Sequence, residues 1–451
     1  MSLRTNSRVS FRAHARARLG VTALVVAGLS GTALLAGAAP SVGTPAATTA
    51  ATTAATTAAT SVPPHTATSR FPAAAVRLGS IADPVRRGRE LSRAVADLPD
   101  VTSAYHVKEL WDKGANGAGT AVGIIVSFGD PNIQQVIDQY DQQNGLPAAD
   151  VQTITPAGPL PPCDTQNDCS AWVGETDLDV TMIHSMAPGA KIVIAATPVD
   201  ETMGMTGFPE MMKAIDYLVD NKVVGVISMS LTATEESFDS FDQIKTLDPT
   251  MERAQRAGVP ILAGSGDDGA AGRKDAQGND YSFPTVGWPA SDPLVTAVGG
   301  TELHLDGSGN RTSPDTLWSR SGAGFSKAYK RPAWQDDVKD ITKSDFRALP
   351  ELTMDGVQGT SQSSPLFAGV IALATQVNKG KPLGFLNPAL HALGAKGTEA
   401  GMVDVTEGDN SYNGVQGFQA GPGYDVVSGW GTVDAPAFVA ALVAQVNHKQ
   451  S

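Results

Sequence analysis

From about Ala104 onward, short aliphatic runs alternate with longer amphipathic stretches. The first run is Ala121 to Val126, followed by a helical stretch from Pro131 to Asn144. Next come the run Lys191 to Ala196, a helix from Pro209 to Asn221 and the run Val224 to Ser230. A helix around Met251 to Ala257 and the runs Val259 to Ala263 and Leu294 to Val298 continue the pattern. Strands that alternate with helices and stay apolar along their length predict an α/β fold, with a mainly parallel sheet covered by helices on both faces. In such sheets the reacting groups lie beyond the carboxyl ends of the strands, so the segments after each run matter most.

The N-terminal part follows other rules. Arg4, Arg8, Arg12, Arg16 and Arg18 precede an apolar run from Leu19 to Ala36 that ends in small residues. Residues 1–38 read as a secretory signal cut near Ala38, or, since the run is long for a signal core, as an uncleaved membrane anchor. Residues 39–70 are dominated by Ala and Thr and are expected to be a disordered spacer. Residues 71–103 form a short, mixed extension containing Arg86-Arg87, and residues 104–445 make the main domain. No later segment is apolar enough to span a bilayer.

The 451 residues carry a net charge of −13, which becomes −18 if the five leader arginines are removed. So acidic a body repels nucleic acid and anionic membranes. There are two cysteines, Cys163 and Cys169. Export favours a local disulfide between them, and retention inside the cell would leave two thiols.

Gly359-Thr360-Ser361-Gln362-Ser363-Ser364-Pro365 leads into the apolar stretch Leu366 to Val377. Pro365 is tolerated early in a helix, so Ser361 is placed at a helix N-terminus. It is either an ordinary Ser/Thr cap or a nucleophile whose oxyanion the unpaired N–H groups would stabilise. A nucleophile needs a base, usually histidine. Of the seven histidines, His14 and His65 lie in the leader and the spacer and His448 near the end, leaving His106, His184, His304 and His391, and none sits in a His-Gly-Thr-type turn. His184 follows Asp179 by five positions, faces away from it on a helix, and reads as structural or surface-exposed.

Carboxylates offer another base. Gly174 to Ile183 looks helical and puts Glu175 and Asp179 on one face. They are either first-turn acids of an ordinary helix or a pair sharing one proton, able to accept a serine proton and to hold it. Asp177 lies about 200° round from Glu175 and is expected to be solvated or to support the helix start. Gly264-Ser265-Gly266-Asp267-Asp268-Gly269 follows a strand directly. It is either a polar Asp-Gly turn or the seat of a protonated Asp267 that donates to an oxyanion.

Taken together, Glu175-x-x-x-Asp179, the Ser265-Gly266-Asp267 loop and Gly359-Thr360-Ser361 before Pro365 resemble the sedolisin family of serine-carboxyl peptidases. The resemblance runs from about Ala104 to Ala441. It takes in Ala187-Pro188-Gly189-Ala190-Lys191, Phe283-Pro284, Ala297-Val298-Gly299-Gly300-Thr301, Gly322-Ala323-Gly324-Phe325-Ser326 and Arg331-Pro332. It implies a subtilisin-like fold with Ser361 as nucleophile, Glu175 as general base and acid, Asp179 as its orienting partner and Asp267 as the oxyanion-stabilising acid. It also implies one calcium ion, Ca2+, held by the carboxylates of Asp404 and Asp425 and the carbonyls of Val405, Gly421 and Gly423. Oxygen-only ligands and a glycine-rich curl suit such a hard cation. Three features depart from the family. Ser127 and Leu231 stand where many members have an acid and a tryptophan, residues 355–358 make a short connection to Gly359, and residues 39–103 are too short for the usual pro-domain.

These readings lead to the expectation of a secreted, monomeric serine-type endopeptidase acting on proteins or peptides at acidic pH, free of the membrane after signal cleavage. Its rivals are a histidine-dependent subtilisin-like peptidase using His106 or His184, and a secreted binding or signalling protein on an inactive scaffold.

Overall fold

Strand β1, Ala121–Ser127, shows why the sheet forms where it does. Its residues AVGIIVS are buried almost throughout, so both of its faces must be covered. Gly123 makes room for one cover: a Cβ there would lie 2.9 Å from Leu218 Cδ1. The structure, a computed structural model, describes residues 89–95 except 91, and 101–448 except 165–167, 202 and 276–278. The readings made for residues 1–38, 39–70 and most of 71–103 lie outside the described residues. All described residues belong to one unit, spanning 62–451.

The central sheet is built from β1, β2 (Asp150–Ile154), β3 (Lys191–Thr197), β4 (Val226–Met229), β5 (Ile261–Gly264), β6 (Val295–Glu302) and β7 (Leu352–Asp355). Their order is β7-β6-β5-β4-β1-β3-β2 and every pairing along it is parallel. Thr316–Leu317 adds a short antiparallel pairing to β6. The α/β expectation, with a mainly parallel sheet, therefore holds. Edge strand β2 is half exposed and largely polar, and the aliphatic pattern does not reveal it.

Among the described residues the longer helices are α1 (Ile133–Asn144), α2 (Ser170–Met186), α3 (Phe208–Asp220), α4 (Asp248–Ala257), α5 (Thr360–Val377), α6 (Asn387–Gly394) and α7 (Ala435–His448). Helix α3 starts with Pro209 in its first turn, buries Phe208, Met211, Ile215 and Leu218 and exposes Tyr217, as an amphipathic cover should. Helices α2 and α5 differ, being buried on nearly every side. They pack on each other at Gly369, where a Cβ would sit 2.5 Å from Met186 Cβ and 3.1 Å from Ile183 O. Only glycine permits so close a crossing. Cys163 and Cys169 form a disulfide just before α2, and among the described residues no helix is long and apolar enough to cross a membrane.

Candidate active site

A helix buried all round should be apolar all round, yet α2 carries Glu175, Asp177, Asp179 and His184. Glu175 is 2% exposed, and Asp177, Asp179 and His184 are fully buried. Asp177 thus corrects the expectation of a solvated acid. Helix α2 has no solvent side, so the face opposite Glu175 is packed too. Ser92 Oγ donates to Asp177 Oδ2 at 2.5 Å. Burial, followed by the charge of Asp130 just past β1, raises the Asp177 pKa well above the usual carboxylate range.

Ser361 is the second residue of α5 and is 4% exposed. The turn before it depends on Gly359, whose φ of +99° lies where L residues are strained. Pro365 has no N–H to return to the carbonyl of Ser361 four residues back. That acceptor meets Ser230 instead: Ser230 Oγ lies 3.2 Å from Ser361 O and 2.6 Å from Asp179 Oδ1. One hydroxyl just beyond β4 therefore links the acid helix to the backbone of the serine. A second link, Ser228 Oγ to Ser364 Oγ at 2.8 Å, ties β4 to α5.

Asp267 follows β5 and closes on the same turn. Its Oδ1 accepts from Thr360 N at 2.7 Å and from Thr360 Oγ1 at 2.8 Å. A Cβ at Gly359 would lie 2.6 Å from Asp267 Oδ2, so the carboxyl rests directly against the turn that precedes Ser361. With two donors already on Oδ1, a proton on this carboxyl belongs on Oδ2.

The structure thus gathers Asp179, Ser230, Asp267 and the Ser361 turn at the carboxyl ends of β4 and β5. Glu175 lies one turn before Asp179 on the same helix.

The histidines are engaged elsewhere. His184 Nε2 lies 2.9 Å from Pro147 O and 3.0 Å from Asp141 Oδ1, so of its two expected settings the structure selects a structural one. His106 Nδ1 pairs with Asp434 Oδ2 at 2.8 Å, His391 with Asp337 at 2.9 Å and His304 with Thr316 Oγ1 at 3.2 Å.

Sequence reasoning missed two members of the site. Ser230 was readable only as the end of an aliphatic run, although a hydroxyl just past a parallel strand is well placed for function. Asp355 ends β7 beneath the Ser361 turn, where Gln362 Nε2 donates to its Oδ2 at 2.9 Å and Ser363 Oγ to its carbonyl at 3.0 Å. Its own N–H lies 2.6 Å from Tyr105 Oη. Burial, reinforced by the charge of Asp315, pushes the Asp355 pKa up to about 7 against the donors Val357 N–H and Gln362. Ser127, at the place of a family acid, donates to Val199 O at 2.9 Å, and Leu231 is buried.

Among the described residues no three His, Cys, Asp or Glu side chains gather as a metal group, so a cation would have to rely on carbonyls as well. The 404–425 region fits that requirement. Asp404 Oδ2 accepts from Gly423 N at 2.7 Å and Asp425 Oδ2 from Gly421 N at 2.9 Å, so both carboxylates converge on one loop. Gly421 and Gly423 have open space where a side chain would stand. Burial raises the Asp425 pKa, which a nearby cation would offset.

Residues 164–418 match the subtilase family. The chain is 31% identical over 345 residues to sedolisin of Pseudomonas sp. (strain 101), covering 70% of this chain and 57% of that protein. It is 29% identical over 381 residues to kumamolisin of Bacillus sp. (strain MN-32), covering 78% and 64%. With tripeptidyl-peptidase 1 of Homo sapiens it shares 34% over 305 residues, covering 60% and 52%. The chain therefore spans between about half and two thirds of these relatives' length. Among solved structures it resembles Pseudomonas sedolisin, described as a serine-carboxyl proteinase complexed with two molecules of pseudo-iodotyrostatin. That match has a TM-score of 0.65 and 27% identity, over 76% of this chain and 97% of that one.

Proposed function

The chain belongs to the subtilase family, in its sedolisin branch of serine-carboxyl peptidases, and from that premise we propose that it is a secreted serine endopeptidase cleaving proteins or peptides at acidic pH. Ser361 attacks the peptide carbonyl, Glu175 accepts its proton and Asp179 holds Glu175 in the receptive state. Asp267, protonated on Oδ2, donates to the oxyanion as it forms, together with the helix N-terminus. The C–N bond breaks as Glu175 returns the proton to the leaving amine. Water, deprotonated by Glu175, then opens the ester on Ser361. The observation that carries this reading is the contact of two acid loci with one serine turn: Asp267 directly on Thr360, and Asp179 through Ser230.

The acid requirement follows from the chemistry. Asp267 must hold a proton to donate it and the Glu175 and Asp179 pair must share one, so rising pH removes both. Asp404, Asp425 and the carbonyls of Val405, Gly421 and Gly423 would hold one calcium ion. Its charge would rigidify the loop and stabilise the fold. Export agrees with the Cys163–Cys169 disulfide.

The test is cleavage of an unfolded protein at about pH 4 by the wild type and by Ser361→Ala. Activity should vanish in the variant, and equal rates would overturn the reading.

A further inference from the structure

The loop that carries Asp267 has little stiffness of its own. Asp267 and Asp268 stand between Gly266, at φ +117°, and Gly269, at φ +57°, two residues that confer conformational freedom on either side. A carboxyl that must meet an oxyanion cannot drift, since a displacement of about 1 Å can cost a hundredfold in rate. Thr360 fixes the side chain of Asp267. Something else must fix its backbone.

The brace is the segment around Arg320, a stretch of chain that lies outside the residues used in the reaction above. Gly322 N donates to Gly266 O at 2.8 Å and Gly269 N to Arg320 O at 2.9 Å, so the segment grips the loop at both glycines. Between them Arg320 Nε donates to the carbonyl of Asp267 itself at 2.9 Å, and Nη2 lies 3.3 Å from Asp268 Oδ1. The guanidinium carbon is 5.2 Å from the ring centre of Tyr412 and 5.9 Å from that of Trp318, which limits its swing. The brace is anchored in turn, because Ser321 Oγ accepts from Gly300 N at 2.9 Å and Ser321 O from Asn410 Nδ2 at 3.1 Å. A planar fork serves two acceptors in fixed directions here, which a lysine ammonium cannot do in the same way.

We propose that Arg320 is a positioning residue for the reaction. It holds the main chain of Asp267 so that the carboxyl stays beside Ser361, without touching substrate. This inference rests on the serine-carboxyl reading, and the test separates the two. Steady-state kinetics on a peptide substrate at about pH 4 are measured for the wild type, Ser361→Ala, Arg320→Ala, Arg320→Lys, Asp267→Ala and the double variant Arg320→Ala/Asp267→Ala, with urea unfolding of each. Arg320→Ala should lower kcat by roughly 10- to 100-fold with KM changed less than about threefold, and Arg320→Lys should recover part of that loss. In the Asp267→Ala background the same arginine change should cost less than about twofold, because its effect passes through Asp267. A full-size loss in that background would mean a merely structural role and overturn the proposal. So would an Arg320→Ala kcat within about twofold of wild type. If Arg320→Ala does not fold, a kcat for Arg320→Lys equal to wild type overturns it instead. Neutral arginine variants beside an inactive Ser361→Ala defeat this inference alone, whereas an active Ser361→Ala defeats the serine-carboxyl reading and this inference with it.

Discussion

Replacing Asp355 by asparagine should flatten the dependence of stability on pH, and the structure sets the size of the effect. The residue is 4% exposed, and burial raises its pKa from 3.8 to about 7. The folded chain therefore holds this proton more tightly than the unfolded chain. The resulting stabilisation is complete below about pH 4 and is lost as pH rises through about 7. At about 1.4 kcal/mol per pKa unit, the loss over that window is roughly 4 kcal/mol, half of it gone near pH 5.5. Asparagine keeps the volume and a donor-acceptor pair and cannot ionise, so the variant lacks this component. Burial also raises Asp292, to about 7, and lifts Glu235 and Glu351, so the wild-type curve carries other groups of the same sign. The difference between the two proteins isolates Asp355. The assay is guanidinium unfolding of wild type and Asp355→Asn from about pH 4 to pH 8 at constant ionic strength. Equal slopes for the two proteins, or a wild type more stable at about pH 8 than at pH 5, would refute the reasoning.

Three further outcomes follow from the same geometry. Ser230→Ala removes the hydroxyl between Asp179 and the Ser361 carbonyl. Loss of the link that orients Asp179 against the Ser361 turn should lower kcat roughly 10- to 100-fold in steady-state assays, and an unchanged kcat counts against the bridge. Gly359→Ala would place a methyl 2.6 Å from Asp267 Oδ2 at a φ of +99°. It should cost about 1–3 kcal/mol in urea unfolding and most of the activity, and a variant normal in both would contradict the packing described. Chelation of divalent ions should lower the melting temperature of the wild type, and Asp404→Asn should remove that response; a melting temperature indifferent to chelator speaks against the proposed calcium loop.

Much of the fold was legible because parallel strands buried on both faces must be apolar along their whole length, as β1 and β3 are. Strand β2 lies at the sheet edge and keeps polar residues, and β7 has only four residues and ends in Asp355, so neither stands out as a run. Helical spacing placed Glu175 and Asp179 on a common face. The same spacing misjudged Asp177, because opposite faces of a helix mean inside and outside only when one of them meets water. Asp267 was legible from its glycine-rich loop after a strand, but Ser230 and Arg320 were not legible at all. Ser230 matters because Pro365 withholds an N–H, and Arg320 because two glycines leave a loop soft, and both relations exist only after the chain has folded.

The crossing of α2 and α5 at Gly369 gives that soft site its rigid reference. Glu175 and Ser361 belong to separate helices, and the spacing of those helices is set where they touch, eight residues along from Ser361. This contact works as the fulcrum of a pair of tongs: a small wedge at the pivot opens the tips. A methyl at position 369 would alter neither charge nor hydrogen bonding, yet it would push the acid and the serine apart. Tolerance of mutation should therefore be low at this buried crossing, about two turns of helix away from Ser361.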